Sequence, residues 1–148
     1  MQYEWITSSD AMDWHALSEL YRVTGPREKS AEVLETSFSN SRFVCFAYHA
    51  GSLIGAGRAL ADGVDCSYIA DIVVHPDHQG RGIGSGILER LVDMSAGHRV
   101  VILYAVPGRE GFYRKHGFDR MLTAMARFVE RDRAHAFGLI DRAEAAGI

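Results

Sequence analysis

Hydrophobic and polar positions along this chain follow first one period and then another, and the switches mark its elements. A strand over residues 2–7 comes first; Ser8 or Ser9 then caps a helix to about Tyr21, whose Trp14, Leu17, Leu20 and Tyr21 recur at helical spacing. Gly25-Pro26 breaks that helix, and residues 28–38 predict a second, more polar one. Residues 42–49 and 52–60 predict a hairpin closed around Ala50-Gly51, and Asp62-Gly63 makes a further tight turn into a strand over 66–74. Ile72, Val73 and Val74 are β-branched and apolar, His75-Pro76-Asp77 ends their run, and Ile83, Ile87, Leu88, Leu91 and Val92 return to helical spacing. Residues 100–106, between Gly97 and Pro107-Gly108, predict another buried strand, residues 121–129 a further strand, and residues 133–146 have helical composition. The result is an α/β chain in which a meander of antiparallel strands leads into a glycine-dense loop.

Composition narrows the class without deciding it. A chain of 148 residues with 47% hydrophobic content suits one domain over residues 1–148, with its core in about 1–130 and a C-terminal helical extension over about 131–148. The net charge of −3, with Lys and Arg scattered, argues against nucleic acid and against an anionic membrane as partner, and favours a small molecule. Cys45 and Cys66 lie in apolar runs and predict free buried thiols. No stretch approaches the ~18 apolar residues of a membrane span, and the first residues lack a secretory pattern, so cytoplasmic residence is expected.

The loop carries the candidate chemistry. Gly80, Gly82, Gly84 and Gly86 crowd the start of a helix, where each interior glycine costs roughly 0.5–1 kcal/mol relative to alanine. An anion lying on the backbone would offset that cost, because first-turn N–H groups and the positive end of the helix dipole reach phosphate oxygens when no Cβ intervenes. No Lys follows these glycines as a P-loop needs, and Ser85 stands where the dinucleotide fingerprint requires its third glycine. What fits is Gln79-Gly80-Arg81-Gly82-Ile83-Gly84, which resembles the acetyl-CoA-binding motif of the GNAT superfamily of N-acetyltransferases, Gln/Arg-x-x-Gly-x-Gly/Ala.

A second run, Gly111-Phe112-Tyr113-Arg114-Lys115-His116-Gly117-Phe118, resembles the Phe-Tyr-x-x-x-Gly-Phe stretch after the fifth strand of the same superfamily, about thirty residues beyond the loop as here. The resemblance covers about residues 1–130. It implies a mixed, mostly antiparallel sheet of six to seven strands flanked by helices and splayed between strands 4 and 5. It also implies a helix over about residues 109–116 that presents Tyr113 to the coenzyme sulfur, with Gly117 as its C-cap. Coenzyme contacts would fall on Ile72, Val73 and Val74 through the backbone, on Gln79, Gly80, Arg81, Gly82, Ile83, Gly84 and Ser85, and on Tyr113. A backbone N–H of the fourth strand would hold the oxyanion and Tyr113 would protonate the departing thiolate, whereas Phe112 and Phe118 read better as core.

Acyl transfer to an amine also needs a base. Asp71 is the candidate, a carboxylate in an apolar strand whose desolvation should raise its pKa. Two other readings stay open: Asp71 hydrogen-bonds the backbone at a strand bulge or pairs with Arg58, and a water chain takes the proton. Ala70 stands where several superfamily members carry a glutamate, and Val106-Pro107-Gly108 where many carry a pantetheine-binding asparagine. His75 and His78 are three apart but flank Pro76 without a further His or Cys nearby, so no metal is expected. Trp14, Tyr21 and Phe38 are candidate walls of the acceptor pocket. The reading is an N-acetyltransferase that moves an acetyl group from acetyl-CoA to a primary amine of a small molecule. A non-catalytic acyl-CoA-binding module, a protein lysine or N-terminal acetyltransferase, and a homodimer stay open. The mildly acidic balance leans toward cationic amines.

Overall fold

The computed structural model describes residues 2–25 and 28–141. They fall into two compact units, Met1–Leu103 and Tyr104–Ile148. The first holds five strands, β1 (Glu4–Ile6), β2 (Phe43–His49), β3 (Ser52–Ala61), β4 (Cys66–Val74) and β5 (Val100–Ile102), in sheet order β1-β2-β3-β4-β5. The first four pair antiparallel and β5 joins β4 in parallel. The β2–β3 hairpin closes where expected, with Ala50 and Gly51 both at positive φ (49° and 81°), the combination that matches the twist of the flanking strands.

Three helices cover this sheet: α1 (Trp14–Thr24), α2 (Ala31–Ser39) and α3 (Ile83–Met94). The cap of α1 is not Ser8 or Ser9 but Asp13, whose carboxylate accepts from the His15 and Ala16 N–H groups, so the helix starts later and continues past Tyr21. Ser30 caps α2 by accepting from Val33 N–H. Leu17, Leu20 and Tyr21 of α1 and Leu34 and Phe38 of α2 form one buried cluster with Val44, Phe46 and Ala56. Side chains alternate along a strand, which leaves Cys45, Ala47, Gly55 and Gly57 for the opposite face. There α3 lies so close that a Cβ on Gly57 would stand 2.8 Å from Ile87. Burial pushes the Cys45 thiol up to about 11.

The second unit contains α4 (Glu110–Lys115) and α5 (Arg131–Ala136). Gly117, at φ 86°, ends α4 as expected: Phe118 N–H donates to the Tyr113 carbonyl and Gly117 N–H to that of Arg114, which satisfies two carbonyls of the last turn. The strand expected over 121–129 does not form among the described residues, so the sheet has five strands and not six or seven. Leu122, Met125 and Val129 are 87%, 98% and 103% exposed. Strand composition supplies side chains suited to a pleated surface, but without a partner's hydrogen bonds it does not make a strand. Of the helix expected over 133–146, residues 142–146 lie outside the described residues; among the described ones α5 begins earlier, at Arg131, and ends at Ala136.

Candidate active site

The site begins with an irregularity in β4. Ala56 pairs with Val73 and Arg58 with Ala70, so Asp71 and Ile72 together oppose Gly57. Asp71 takes φ 59°, a left-handed conformation that aspartate tolerates better than most residues. This bulge is held from several elements. The Tyr21 hydroxyl of α1 donates to the Asp71 carbonyl at 2.5 Å. Arg58 Nε of β3 lies 2.7 Å from Oδ2, and Lys29 Nζ lies 3.1 Å from Oδ1. Burial works against the charged carboxylate, but the two cations outweigh it and hold the group below its usual range. The expected rise in the Asp71 pKa is therefore reversed, and the pairing with Arg58 left open by the sequence is present.

Beyond the bulge the two sides of β4 differ. It stays paired with β3 to Val74, but with β5 only at Cys66, Ser67 and Tyr68, because β5 ends at Ile102, the partner of Tyr68. Residues 72–74 thus have no β5 partner and lead, through a 3-10 turn over Pro76–His78, to the glycine loop. Gln79 Nε2 donates back to the Val74 carbonyl at 3.0 Å and ties the loop to the strand end. Gly80 and Gly82 take φ 75° and 81°, and a Cβ on either would meet nothing within 4 Å. Gly82 is the N-cap of α3, and no side chain caps that end. Uncapped N–H groups beneath open space fit a bound anion. Gly86 has another cause: a Cβ there would stand 2.4 Å from the Trp5 ring, so close packing explains it and an anion is not needed.

In the second unit, Tyr113 sits on α4 with Phe112 and Phe118 around it, ring centroids 5.0 and 6.1 Å away. Burial raises its phenol above the ordinary value and Arg109 partly opposes this, so the hydroxyl keeps its proton at neutral pH.

A model of the acetyltransferase (GNAT) family matches residues 11–118. This chain belongs to that family. Serotonin N-acetyltransferase 2, chloroplastic, of Oryza sativa subsp. japonica is 37% identical over 117 residues, 75% of this GNAT chain and 58% of the relative. The chain therefore spans less than two thirds of that relative's length. Glucosamine 6-phosphate N-acetyltransferase of Schizosaccharomyces pombe is 34% identical over 66 residues, 43% of this chain and 60% of that one. Among solved structures, a probable acetyltransferase of unknown function from meticillin-resistant Staphylococcus aureus superposes with a TM-score of 0.76 at 26% identity, covering 86% of this chain and 98% of the other.

The remaining candidates of this GNAT chain divide by burial. Tyr21 and Phe38 are 4% and 1% exposed and belong to the core between α1, α2 and the sheet, with Lys29 over the Tyr21 ring and Arg58 over the Phe38 ring. Trp14 is half-buried at the edge of that core, its ring 6.4 Å from that of Phe38. Lys29 escaped the sequence reading because nothing local marks it; the Ser18 hydroxyl, donating to the Lys29 carbonyl at 2.6 Å, fixes its backbone beside α1. His49 was likewise missed as a neighbour of the histidine pair: its ring lies 5.5 Å from that of His78, which lies 5.9 Å from that of His75. Loss of solvation, then Arg81 and the other two imidazoles, hold His78 below its ordinary value. Among the described residues no group of three or more His, Cys, Asp or Glu is arranged to hold a metal ion, and no helix is long and apolar enough to cross a membrane.

Proposed function

We propose that this chain is an acetyl-CoA-dependent N-acetyltransferase that acetylates the primary amine of a small molecule by direct attack in a ternary complex. The observation that carries the reading is the uncapped N-terminus of α3, where Gly80 and Gly82 leave open space at the end of a strand that β5 does not pair beyond Tyr68. Coenzyme pyrophosphate would lie on the backbone of residues 79–85, and its pantetheine arm along residues 72–74. A backbone N–H of β4 beyond the Asp71 bulge would meet the oxyanion of the tetrahedral intermediate. Tyr113 would protonate the departing thiolate. Asp71, with both oxygens held by cations, positions the bulge, and the proton of the attacking amine leaves through water. The free cysteines suit a reducing compartment such as the cytoplasm.

Calorimetry with acetyl-CoA, followed by a free-thiol assay across an amine panel, tests this. Gly82→Val places a β-branched side chain where phosphate oxygens should lie; its positive φ of 81° costs the apo protein some stability, and coenzyme affinity is expected to fall at least about tenfold, more than that loss accounts for. Unchanged affinity in a folded variant removes the pyrophosphate from this loop. Tight coenzyme binding with no thiol released by any amine would instead favour a non-catalytic acyl-CoA-binding module.

A further inference from the structure

Two cations share one carboxylate at the β4 bulge. The side chains of Lys29, Arg58 and Asp71 are only 20%, 14% and 18% exposed, so the cluster carries a surplus positive charge largely withdrawn from water. Charge in such a place is costly unless paired. Among the described residues, the other contacts of the two cations are neutral. Arg58 Nη1 donates to the Ser41 hydroxyl at 3.3 Å and the guanidinium lies over the Phe38 ring, while the Lys29 ammonium lies over the ring of Tyr21. An ammonium has three donors and a guanidinium five, more than these contacts use. Asp71, for its part, has an oxygen on each cation and is poorly placed to receive the ammonium of a substrate.

We infer that the acceptor amine carries an anionic group, a carboxylate or a phosphate, which supplies the missing counter-charge at Lys29 and Arg58. The inference rests on the acetyltransferase reading above and names its substrate class. It runs against the lean toward cationic amines that the net charge of the chain suggests, because a few partly buried groups outweigh scattered surface charge at short range.

Matched amines that differ in one anionic group test this. Tryptophan against tryptamine varies a carboxylate, and glucosamine 6-phosphate against glucosamine varies a phosphate, so the two arms distinguish the sources of the anion. In at least one pair the anionic member is expected to have the higher kcat/KM. Lys29→Met should shrink that gap about tenfold, as for loss of a charge-assisted hydrogen bond, and Lys29→Arg should restore it. Should Lys29→Met fail to fold, Lys29→Gln gives a second reading and should shrink the gap to a similar extent. A panel in which no anionic member exceeds its twin, or a gap unchanged in a folded Lys29 variant, would overturn the inference. Calorimetry with acetyl-CoA separates the two levels. Bound coenzyme without preference for anionic acceptors removes this inference alone, whereas no coenzyme binding removes the acetyltransferase reading and this inference with it.

Discussion

The two compact units hold their shape by different means. Among the described residues, every large buried apolar side chain belongs to Met1–Leu103, including Leu17, Phe38, Phe46, Ile87 and Leu88, whereas the buried apolar residue of the second unit is Ala134. The second unit instead relies on local hydrogen bonds, such as those that close α4 onto Gly117, and on the ring cluster around Tyr113. Both units nevertheless carry a motif of the acetyltransferase family. The difference teaches that the glycine loop and the Asp71 bulge are positioned by a packed sheet, while Tyr113 is positioned by a short helix and its caps, so damage to each should have a different signature.

The largest expected effect sharpens that contrast from the second unit. Tyr113→Phe should lower the single-turnover rate by about 10²–10⁴-fold, the range for a positioned general acid, with coenzyme affinity and melting temperature nearly unchanged. A chemical step at the wild-type rate would take Tyr113 out of the mechanism. Gly86→Val probes the first unit and should do the reverse. Its side chain collides with Trp5, and a cost of about 2–3 kcal/mol, read from the urea midpoint, is expected from overpacking. A change under about 0.5 kcal/mol would mean that Trp5 yields freely and that the packed unit is looser than its burial implies.

Smaller effects follow at the bulge. Asp71→Asn leaves Lys29 and Arg58 without their anion and should cost about 1–2 kcal/mol at neutral pH, discounted for partial exposure of the pair. The folded pKa of Asp71 lies below its unfolded value, so its contribution is full above about pH 4 and is lost as pH falls through the folded pKa. The melting-temperature gap between wild type and Asp71→Asn should therefore narrow on acidification from about pH 7 to about pH 3. A constant gap would show that the carboxylate charge is not what holds the bulge. The smallest effect is expected for Met125→Ser, within about 0.5 kcal/mol, because that side chain is already exposed. A cost above about 1 kcal/mol would break the comparison by showing that this segment is packed in solution.

Much was legible in the chain itself because it is written locally. The hairpin at Ala50-Gly51, the αL cap at Gly117 and the uncapped glycine start of α3 depend on residues within a few positions of each other, where backbone sterics and periodicity decide the outcome. The resemblance to the family rested on the same kind of signal, two short motifs at the right separation. What only the tertiary structure decided involves partners far apart in sequence. Gly86 is explained by Trp5, Tyr21 is core because its hydroxyl reaches the Asp71 carbonyl, and the pKa of Asp71 falls because Lys29 and Arg58 reach it from separate elements. The residues of 121–129 carry strand composition, yet whether they pair depends on a hydrogen-bonding edge elsewhere. Electrostatics and packing act through space, and a linear sequence specifies those distances only after it has folded.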